Sequence, residues 1–472
     1  MYIESMEREV SYFIKKTKCV SRKDQLGTTS LSIKKLCLFV FLSCFSFKAF
    51  CQADTTSTPP QTLTLKQCID YALQHQPSLQ QSLLNISVAK ANIAINKSQI
   101  YPQVNAAATY TNYLQLPTSF SSTTSKPVKN GVLNTLIPSV GVTQALFSPS
   151  LKYVLKTAPL VQKEAEQSTD SVKIELVAEV SKSFYNLLLT LQQIDVLKED
   201  TVRLSQNLRD SYHQYVGGIV DETDYEQATI TLNNSTASLR QATENLQPQY
   251  ATLKQLIGYP SASQFNISFD TAQMLTEIDI DTTSPLQYDK RIELKQLHTE
   301  QSIQHELTNY YHNATLPTVS AFFNYVPEFE NNNFAKLTDN VYPYSTIGLT
   351  ASVPIFTGFA RTQSVHRAEL QEKELGWSEN SLKANIYSEY TTALANYKSN
   401  LNNLQTLDKN VAMAKRVYFV VNLQYKQGVV AYLNVINAES NLITAEIGHL
   451  NALFQVLSSK IDLEKARGEI KY

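Results

Sequence analysis

The sequence predicts an internally duplicated protein of mixed α and β class, with four β-strands and two pairs of long coiled-coil helices in each chain. Three observations lead to this prediction. Only 12 of the 472 residues are glycine and 16 are proline, and helix breakers this sparse favour long helices. Apolar residues recur at helical spacing over long stretches. Short stretches with the alternation of a β-strand occur in two matching sets.

The N-terminal stretch predicts an export signal. The apolar run from Leu36 to Phe47 follows two lysines, and Ala49-Phe50-Cys51 supplies a small-residue cleavage site. The run is too short for a membrane-spanning helix, and a buried helix is the alternative interpretation. Cleavage would start the mature chain at Gln52 and leave Cys68 as its single cysteine. A disulfide or a cysteine metal cluster is therefore not expected.

Removal of residues 1–51 also changes the charge of the chain. The remainder has 32 basic and 38 acidic residues, a net charge of −6. Nucleic acid is not an expected partner, because its binding needs a basic face. A lipid anchor is a minor alternative, since neither Cys44 nor Cys51 has small residues on both preceding positions.

The rest of the chain can be read as two copies of one unit. Tyr101-Pro102 in the first half corresponds to Leu316-Pro317 in the second, and Gly218 corresponds to Gly428. The offset between matching positions changes little along the chain. It is far too long for a solenoid, whose repeats span about 20–50 residues. The sequence therefore predicts duplication of a domain-sized unit.

Each unit contains two short stretches with strand alternation. The four stretches are Gln103–Tyr113, Val140–Phe147, Val319–Tyr325 and Ile347–Ile355. The polar linkers Leu116–Pro138 and Pro327–Tyr342 are predicted to be solvent loops.

The predicted strands have the length of tilted membrane strands, about 8–11 residues. Four strands cannot stand alone in a bilayer, because open edges leave backbone groups unpaired in hydrocarbon, so several chains would have to share one barrel. A small soluble sheet packed on helices is the alternative. The export signal and the 26 tyrosines favour a membrane.

Long helical patterns flank the strands. A first helix is predicted over Leu65–Ile100, ending before Pro102. A second runs from Leu160 to Tyr215, about 84 Å if it is a continuous helix. Return helices end near Ile257 and Arg467. Apolar residues spaced three and four apart form a heptad seam in each half, which predicts supercoiling. The seams are Val177, Val180, Phe184, Leu187, Leu191 and Ile194, and Leu407, Val411, Ala414, Tyr418, Val421 and Tyr425.

The mature chain resembles the TolC-type outer-membrane efflux proteins, the outer membrane factor family. The matching pieces are Leu63-Thr64-Leu65, Ala72-Leu73, Tyr101-Pro102, Ala145-Leu146-Phe147-Ser148-Pro149, Val353-Pro354-Ile355-Phe356-Thr357-Gly358, and the two glycine turns, each followed ten residues later by Ala228 or Ala438. The resemblance implies a homotrimer with a 12-strand outer-membrane β-barrel in lipid and a periplasmic α-barrel. It implies passive conduction of substrates that an inner-membrane transporter and a periplasmic adaptor (membrane fusion) protein deliver.

On this resemblance the segments of the chain are assigned in order. They are a signal peptide with an N-terminal extension (1–51), a polar leader (52–62), an N-terminal helix (63–100), a strand hairpin (101–149), a long helical hairpin (150–260), an equatorial segment and helix (261–315), a second strand hairpin (316–356), a second helical hairpin (357–468) and a C-terminal tail (469–472).

The resemblance places the two glycine turns at the periplasmic end, where they would contact the adaptor. The candidate contact residues are Gly217, Gly218, Ile219, Gly428, Val429 and Val430. Glycine permits the positive φ that a tight reversal needs. Turns that join helices without binding a partner are the alternative.

The residues after each turn are candidates for the pore constriction. In the first half they are Asp221, Glu222 and Asp224, which in a trimer would form carboxylate rings that favour cations. Capping of the following helix is an alternative role. In the second half the positions where the family carries two aspartates are Asn434 and Asn437. At the position where the family carries an arginine, this chain has Val430. We therefore expect a constriction held by amide and apolar contacts.

No motif in the sequence indicates catalysis or a cofactor. Walker, GxGxxG, HExxH and GxSxG patterns are absent. His298, His305 and His312 share one helix face but lie about 10 Å apart, too far for one metal ion. They are interpreted as a solvated or inter-helix polar stripe. A periplasmic helical scaffold without a pore is the main competing hypothesis, and a secreted enzyme is the least favoured.

Overall fold

The computed structural model describes residues 62–121, 126–268 and 278–472. The predicted signal peptide and all of the polar leader up to residue 61 lie outside the described residues. The elements are β1 (Thr62–Leu63), α1 (Leu65–His75), α2 (Pro77–Lys97), β2 (Gln103–Asn112), β3 (Thr118–Ser121), β4 (Lys126–Lys129), β5 (Asn134–Phe147), α3 (Pro149–Val216), α4 (Glu222–Ile257), β6 (Asn266–Ile267), α5 (Ile292–Asn313), β7 (Thr318–Asn331), β8 (Val341–Ser352), α6 (Ala360–Lys426) and α7 (Tyr432–Arg467).

The predicted first helix is in fact two helices. Thr64 begins α1 with a reciprocal capping box to Gln67. Gln76 then adopts an extended conformation, with φ −64° and ψ 120°, and Pro77 starts α2. The single helix over Leu65–Ile100 was therefore wrong. The steric reason is that the residue before a proline is pushed out of the helical region.

The main sheet is antiparallel and contains four strands in the order β2-β5-β7-β8. The central pair, β5 and β7, joins the two halves of the chain and is in register from Asn134↔Asn331 to Phe147↔Val319, with one irregularity. The edge strands β2 and β8 each pair with a single neighbour within the described residues and are exposed along nearly their whole length. The structure confirms the mixed α and β class and the four-strand sheet of each chain.

Three strands are longer than predicted, and part of each predicted loop is strand. β5 and β7 have 14 residues each and β8 has 12. The linker after Leu116 contains the β3–β4 hairpin and the first residues of β5. Pro138 faces Ala108 and Pro327 faces Pro343 across the ladders, so prolines did not end these strands. The prediction of solvent loops over Leu116–Pro138 and Pro327–Tyr342 was wrong in these parts.

Two helical hairpins of nearly equal size project from the sheet. Helices α3 and α4 have 68 and 36 residues, and α6 and α7 have 67 and 36. Helix α3 begins at Pro149, capped by Ser148, and continues through Pro159, so it starts well before the predicted Leu160. The matching lengths show that both copies of the duplicated unit retain the same hairpin.

The two heptad seams differ in burial. In α3 all seam residues except Leu191 are buried. In α6 only Tyr425 of the predicted seam is buried, and the others are half-buried. The difference arises because α3 packs against α1, α2, α4, α5 and α7, whereas α6 packs against α5 and α7 and leaves its remaining surface uncovered in a single chain.

A buried cluster lies where the ends of the return helices α4 and α7 pack with α1 and with the central parts of α3 and α6. It includes Cys68, Leu187, Ile257 and Leu457, each fully or almost fully buried. Two equivalent glycines end the return helices there. Gly258 has φ +71° and lies against the backbone of His75, and Gly468 has φ +69° and lies against the backbone of Lys290. The close backbone approaches explain why no side chain fits at either position.

The histidine stripe lies between α5 and α6, as predicted. His298 lies 3.6 Å from Glu379, His305 lies 2.9 Å from Glu372 and His312 lies 3.4 Å from Glu369. The described residues contain no group of three or more ligands suited to a metal ion. Within the same residues, no helix combines the length and apolarity needed to cross a membrane.

Candidate functional site at the helical turns

The two hairpin turns have the same backbone geometry. Gly218 and Gly428 have φ +68° and +75°. The amide of Gly218 donates to the carbonyl of Tyr215 at 2.9 Å, and the amide of Gly428 donates to Tyr425 at 2.9 Å. Each following residue bonds back five positions, again at 2.9 Å. Nothing lies within 4 Å of a Cβ added at either glycine, so the positive φ alone requires glycine there.

The candidate contact residues differ in how far they are exposed. Ile219 and Val429 occupy equivalent positions and are 75% and 66% exposed. Val430 is half-buried and packs against a small cluster of buried residues beside the turns, so it presents less surface than Ile219 and Val429. Gly217 has φ −76°, an ordinary helical value, and only Gly218 makes the reversal. Each turn therefore presents one exposed apolar side chain, at equivalent positions in the two hairpins.

The candidate constriction residues all follow the turns. Asp221 is the N-cap residue of α4 but its side chain makes no capping hydrogen bond. Its carbonyl accepts from the amide of Asp224 at 3.1 Å, and the carbonyl of Ala431 accepts from Asn434 in the same way. Asp221 and Glu222 are exposed, and Asp224 is half-buried. The carboxylates of Asp221 and Glu222 therefore reach solvent, and that of Asp221 makes no capping hydrogen bond.

In the second half, Asn434 and Asn437 are exposed on the first two turns of α7. Among the described residues, no side-chain hydrogen bond joins either asparagine to the first-half acids. The structure thus brings each set to the start of its own return helix. It does not join the two sets.

The tip cluster links the two hairpins and was not predicted from the sequence. Its buried members are Ala228, Tyr425, Tyr432 and Val435. The hydroxyl of Tyr425 donates to Oε1 of Gln214 at 2.7 Å, and the rings of Tyr425 and Tyr432 lie 5.3 Å apart. Burial raises the pKa of Tyr425 above its ordinary value. The tyrosine therefore stays neutral and can act as a hydrogen-bond donor.

A buried polar network above the tip cluster was also missed. The residues are Asp200, Arg203 and Asn207 on α3, Ser235 on α4 and Glu439 on α7. The sequence contained a signal that could have located this network. The seam of α3 continues beyond Ile194 at three- and four-residue spacing, and several of the residues at these positions are polar. A polar residue at a seam position is a sign of a specific contact.

The chain is similar to known outer-membrane proteins. The family model described as outer membrane efflux protein matches residues 68–259 and 315–469. The outer membrane protein TolC of Vibrio cholerae serotype O1 is 18% identical over 420 residues, covering 88% of this chain and 93% of the relative.

Solved structures have the same fold. The outer membrane protein VceC from Vibrio cholerae superimposes with a TM-score of 0.70 at 16% identity, covering 86% of this chain and 96% of that chain. A membrane protein from Pseudomonas aeruginosa superimposes with a TM-score of 0.72 at 20% identity, covering 85% and 92%.

Proposed function

Because this chain belongs to the outer membrane efflux protein family, we propose that three copies of it close into one duct. The protein is an outer-membrane channel of a tripartite efflux or secretion system, with a helical extension in the periplasm. Its family consists of channels, and conduction through a pore requires a lumen and a gate but no bond chemistry.

The trimer is inferred from the four-strand sheet, whose two edges are unpaired within the described part of the chain. β2 and β8 expose backbone groups that a bilayer cannot satisfy. Three sheets joined β8 to β2 would give 12 strands and remove every edge, and closed barrels begin at about eight strands. Exposed tyrosines on the strands, among them Tyr110, Tyr325, Tyr342 and Tyr344, suit contact with outer-membrane lipid at its interfaces.

The hairpin turns are proposed to bind the periplasmic adaptor. Ile219 and Val429 place two exposed apolar side chains at the tips, and such side chains gain most when a partner removes them from water. An inner-membrane transporter would then supply the substrate, and the duct would conduct it passively. The turn residues Gly217, Gly218, Gly428 and Val430 would fix the tip geometry.

The residues after the turns are proposed to narrow the inner opening. Asp221, Glu222 and Asp224 would supply the negative charge, and Asn434 and Asn437 would supply neutral amides. A constriction of this composition should be less cation-selective than one with acids in both halves.

Fractionation and electrophoresis test the duct. The protein should fractionate with the outer membrane, run as a heat-modifiable trimer and conduct ions in planar bilayers. A scaffold without a pore should instead be released with the periplasmic contents. Extraction without detergent, or a purified trimer that never conducts, would contradict the proposal.

A further inference from the structure

A cluster of buried charged and polar side chains joins the two helical hairpins above their tips. Nε of Arg203 lies 3.3 Å from Oε1 of Glu439, and a terminal nitrogen of Arg203 lies 3.4 Å from Oδ1 of Asp200. Asn207 donates to Glu439 at 3.0 Å and Ser235 donates to Asp200 at 2.5 Å. We call these five residues the polar latch. It connects α3 and α4 of the first hairpin to α7 of the second.

The polar latch contains two buried carboxyl groups but one guanidinium. The side chains of Asp200 and Glu439 are 0% and 1% exposed. One arginine can neutralise only one of them, and an uncompensated carboxylate in the interior is costly. Binding one proton removes this cost while the hydrogen bonds from Asn207 and Ser235 remain possible.

The groups that face the polar latch do not supply the missing positive charge. Helix α6 contributes Tyr418 and Tyr425, and α7 contributes Tyr432 and Glu446. The ring of Tyr418 lies 5.9 Å from the guanidinium carbon of Arg203. Lys415 is paired with Glu446 at 3.1 Å.

The environment of Glu439 therefore favours its protonated form. Burial, and then the charge of Asp200, raise the pKa of Glu439 to about 7, although Arg203 and Asn207 act in the opposite direction. Burial likewise raises the pKa of Asp200.

The corresponding surface of the second hairpin carries no such charges. Alignment of the turn at Gly218 with the turn at Gly428 matches Asp200, Arg203 and Asn207 with uncharged residues, which are Asn410, Met413 and Val417. Met413 and Val417 are 56% and 52% exposed on the face of α6 that a single chain leaves uncovered. The three charged and polar positions of α3 in the polar latch are thus not repeated at the equivalent positions of α6.

We propose that the polar latch is a proton-operated lock between the chain's own two hairpins: it holds one proton while α7 packs against α3, and loss of that proton loosens this contact alone. A role of the lock in gating rests on the proposed function, because the tips would have to bound the inner opening of a duct. The lock between the hairpins does not depend on the proposed function.

The direction of the pH effect follows from linkage. The folded-state pKa of Glu439 lies above the ordinary value of 4.5, so the folded state binds the proton more tightly than the unfolded state. The stabilisation is fully present below about pH 4.5 and is lost as the pH rises through about 7. Acid should therefore tighten the hairpin contact, and alkali should loosen it.

Hydrogen exchange on the intact trimer tests the lock without requiring conduction. After correction for the intrinsic exchange rate, amides in residues 432–446 should exchange several-fold more slowly at about pH 6 than at about pH 8. Glu439→Gln keeps the shape and the hydrogen-bonding capacity but cannot titrate. It should abolish most of this pH difference. The matched control Glu244→Gln, an exposed acid on α4, should retain it.

The outcomes separate the lock from the duct. Exchange that is independent of pH in the native protein, or a full pH difference in Glu439→Gln, would overturn the lock. A normal pH difference in a trimer that conducts nothing would support the lock and contradict the duct. If Glu439→Gln does not assemble, Asp200→Asn leaves one carboxyl for one guanidinium and should lower the midpoint of the pH effect. An unchanged midpoint would also overturn the lock.

Discussion

The hydroxyl of Tyr425 and Oε1 of Gln214 lie 2.7 Å apart, although the two residues belong to different halves of the chain. Tyr425 lies in the last turn of α6 and Gln214 in the last turn of α3. Their hydrogen bond therefore ties the tip of one hairpin directly to the tip of the other. It joins both copies of the duplicated unit by side chains close to the turns.

Tyr425→Phe should loosen the tips while keeping their packing. Loss of this partly buried hydrogen bond costs about 0.5–1.5 kcal/mol. The variant trimer should therefore open more often in planar bilayers. Tyr215→Phe, at the equivalent position of the first hairpin, is the matched control, because Tyr215 is more exposed and stacks on Tyr225. Equal opening in the two variants would contradict the link.

The asparagines of the second half provide a test of pore selectivity. In Asn434→Asp/Asn437→Asp trimers, the added carboxylates should shift the reversal potential towards greater cation selectivity. Asp221→Asn/Glu222→Gln should shift it in the opposite direction. Both shifts should be largest at low salt, where charges are least screened. An unchanged reversal potential in the double aspartate variant would show that these asparagines do not line the pore.

Two glycines of the first hairpin predict a graded loss of stability. Gly218→Ala should cost about 1–2 kcal/mol from its positive φ alone, because the space around it is open. Gly258→Ala has a similar φ, and its Cβ would also meet the carbonyl oxygen of His75 at 2.6 Å. This overlap should add about 1–3 kcal/mol. The temperature of trimer dissociation should therefore fall further for Gly258→Ala. Equal decreases would contradict the close backbone approach.

The histidine stripe predicts weakening in acid, opposite in direction to the polar latch. Hydrogen bonds from Lys383 and Gln301 lower the pKa of Glu379 to about 2, and a hydrogen bond from His305 lowers that of Glu372. The stabilisation from Glu379 is present above about pH 4.5 and is lost as the pH falls towards about 2, and the contribution of Glu372 is lost in the same direction.

Amides of α5 should exchange faster at about pH 2.5 than at about pH 5 after correction for the intrinsic rate. Glu379→Gln should reduce this difference. A difference of the same size in the variant would assign the weakening to other groups.

Local sequence patterns predicted most helices and strands, but they gave the wrong helix boundary at two prolines. Pro77 ends α1, whereas Pro159 lies inside α3. The break before Pro77 follows from a local rule, because Gln76 is pushed out of the helical region by the proline that follows it. Pro159 stays inside α3, where the neighbouring pairing of Lys156 with Glu306 holds α3 to α5. That contact connects distant parts of the chain, and no local pattern encodes it.

The candidate site was only partly predictable for the same reason. The turns could be located because glycine at a positive φ is a local requirement. The polar latch could not, because Arg203 and Glu439 lie in different halves of the chain and become neighbours only when the hairpins pack. Strand ends were also missed, since Pro138 and Pro327 look like loop residues until their partners across the ladder are known.

The uninterrupted length of α3 has a mechanical consequence. From the buried core at Leu187 to the turn at Gly217, the helix forms a stiff arm of about 45 Å. Rotation of this arm by about 10° around the core would move the tip by about 8 Å. A lever of this kind converts a small angular change near the pivot into a displacement wider than a water molecule. The force that opens the tip could therefore be applied far from it.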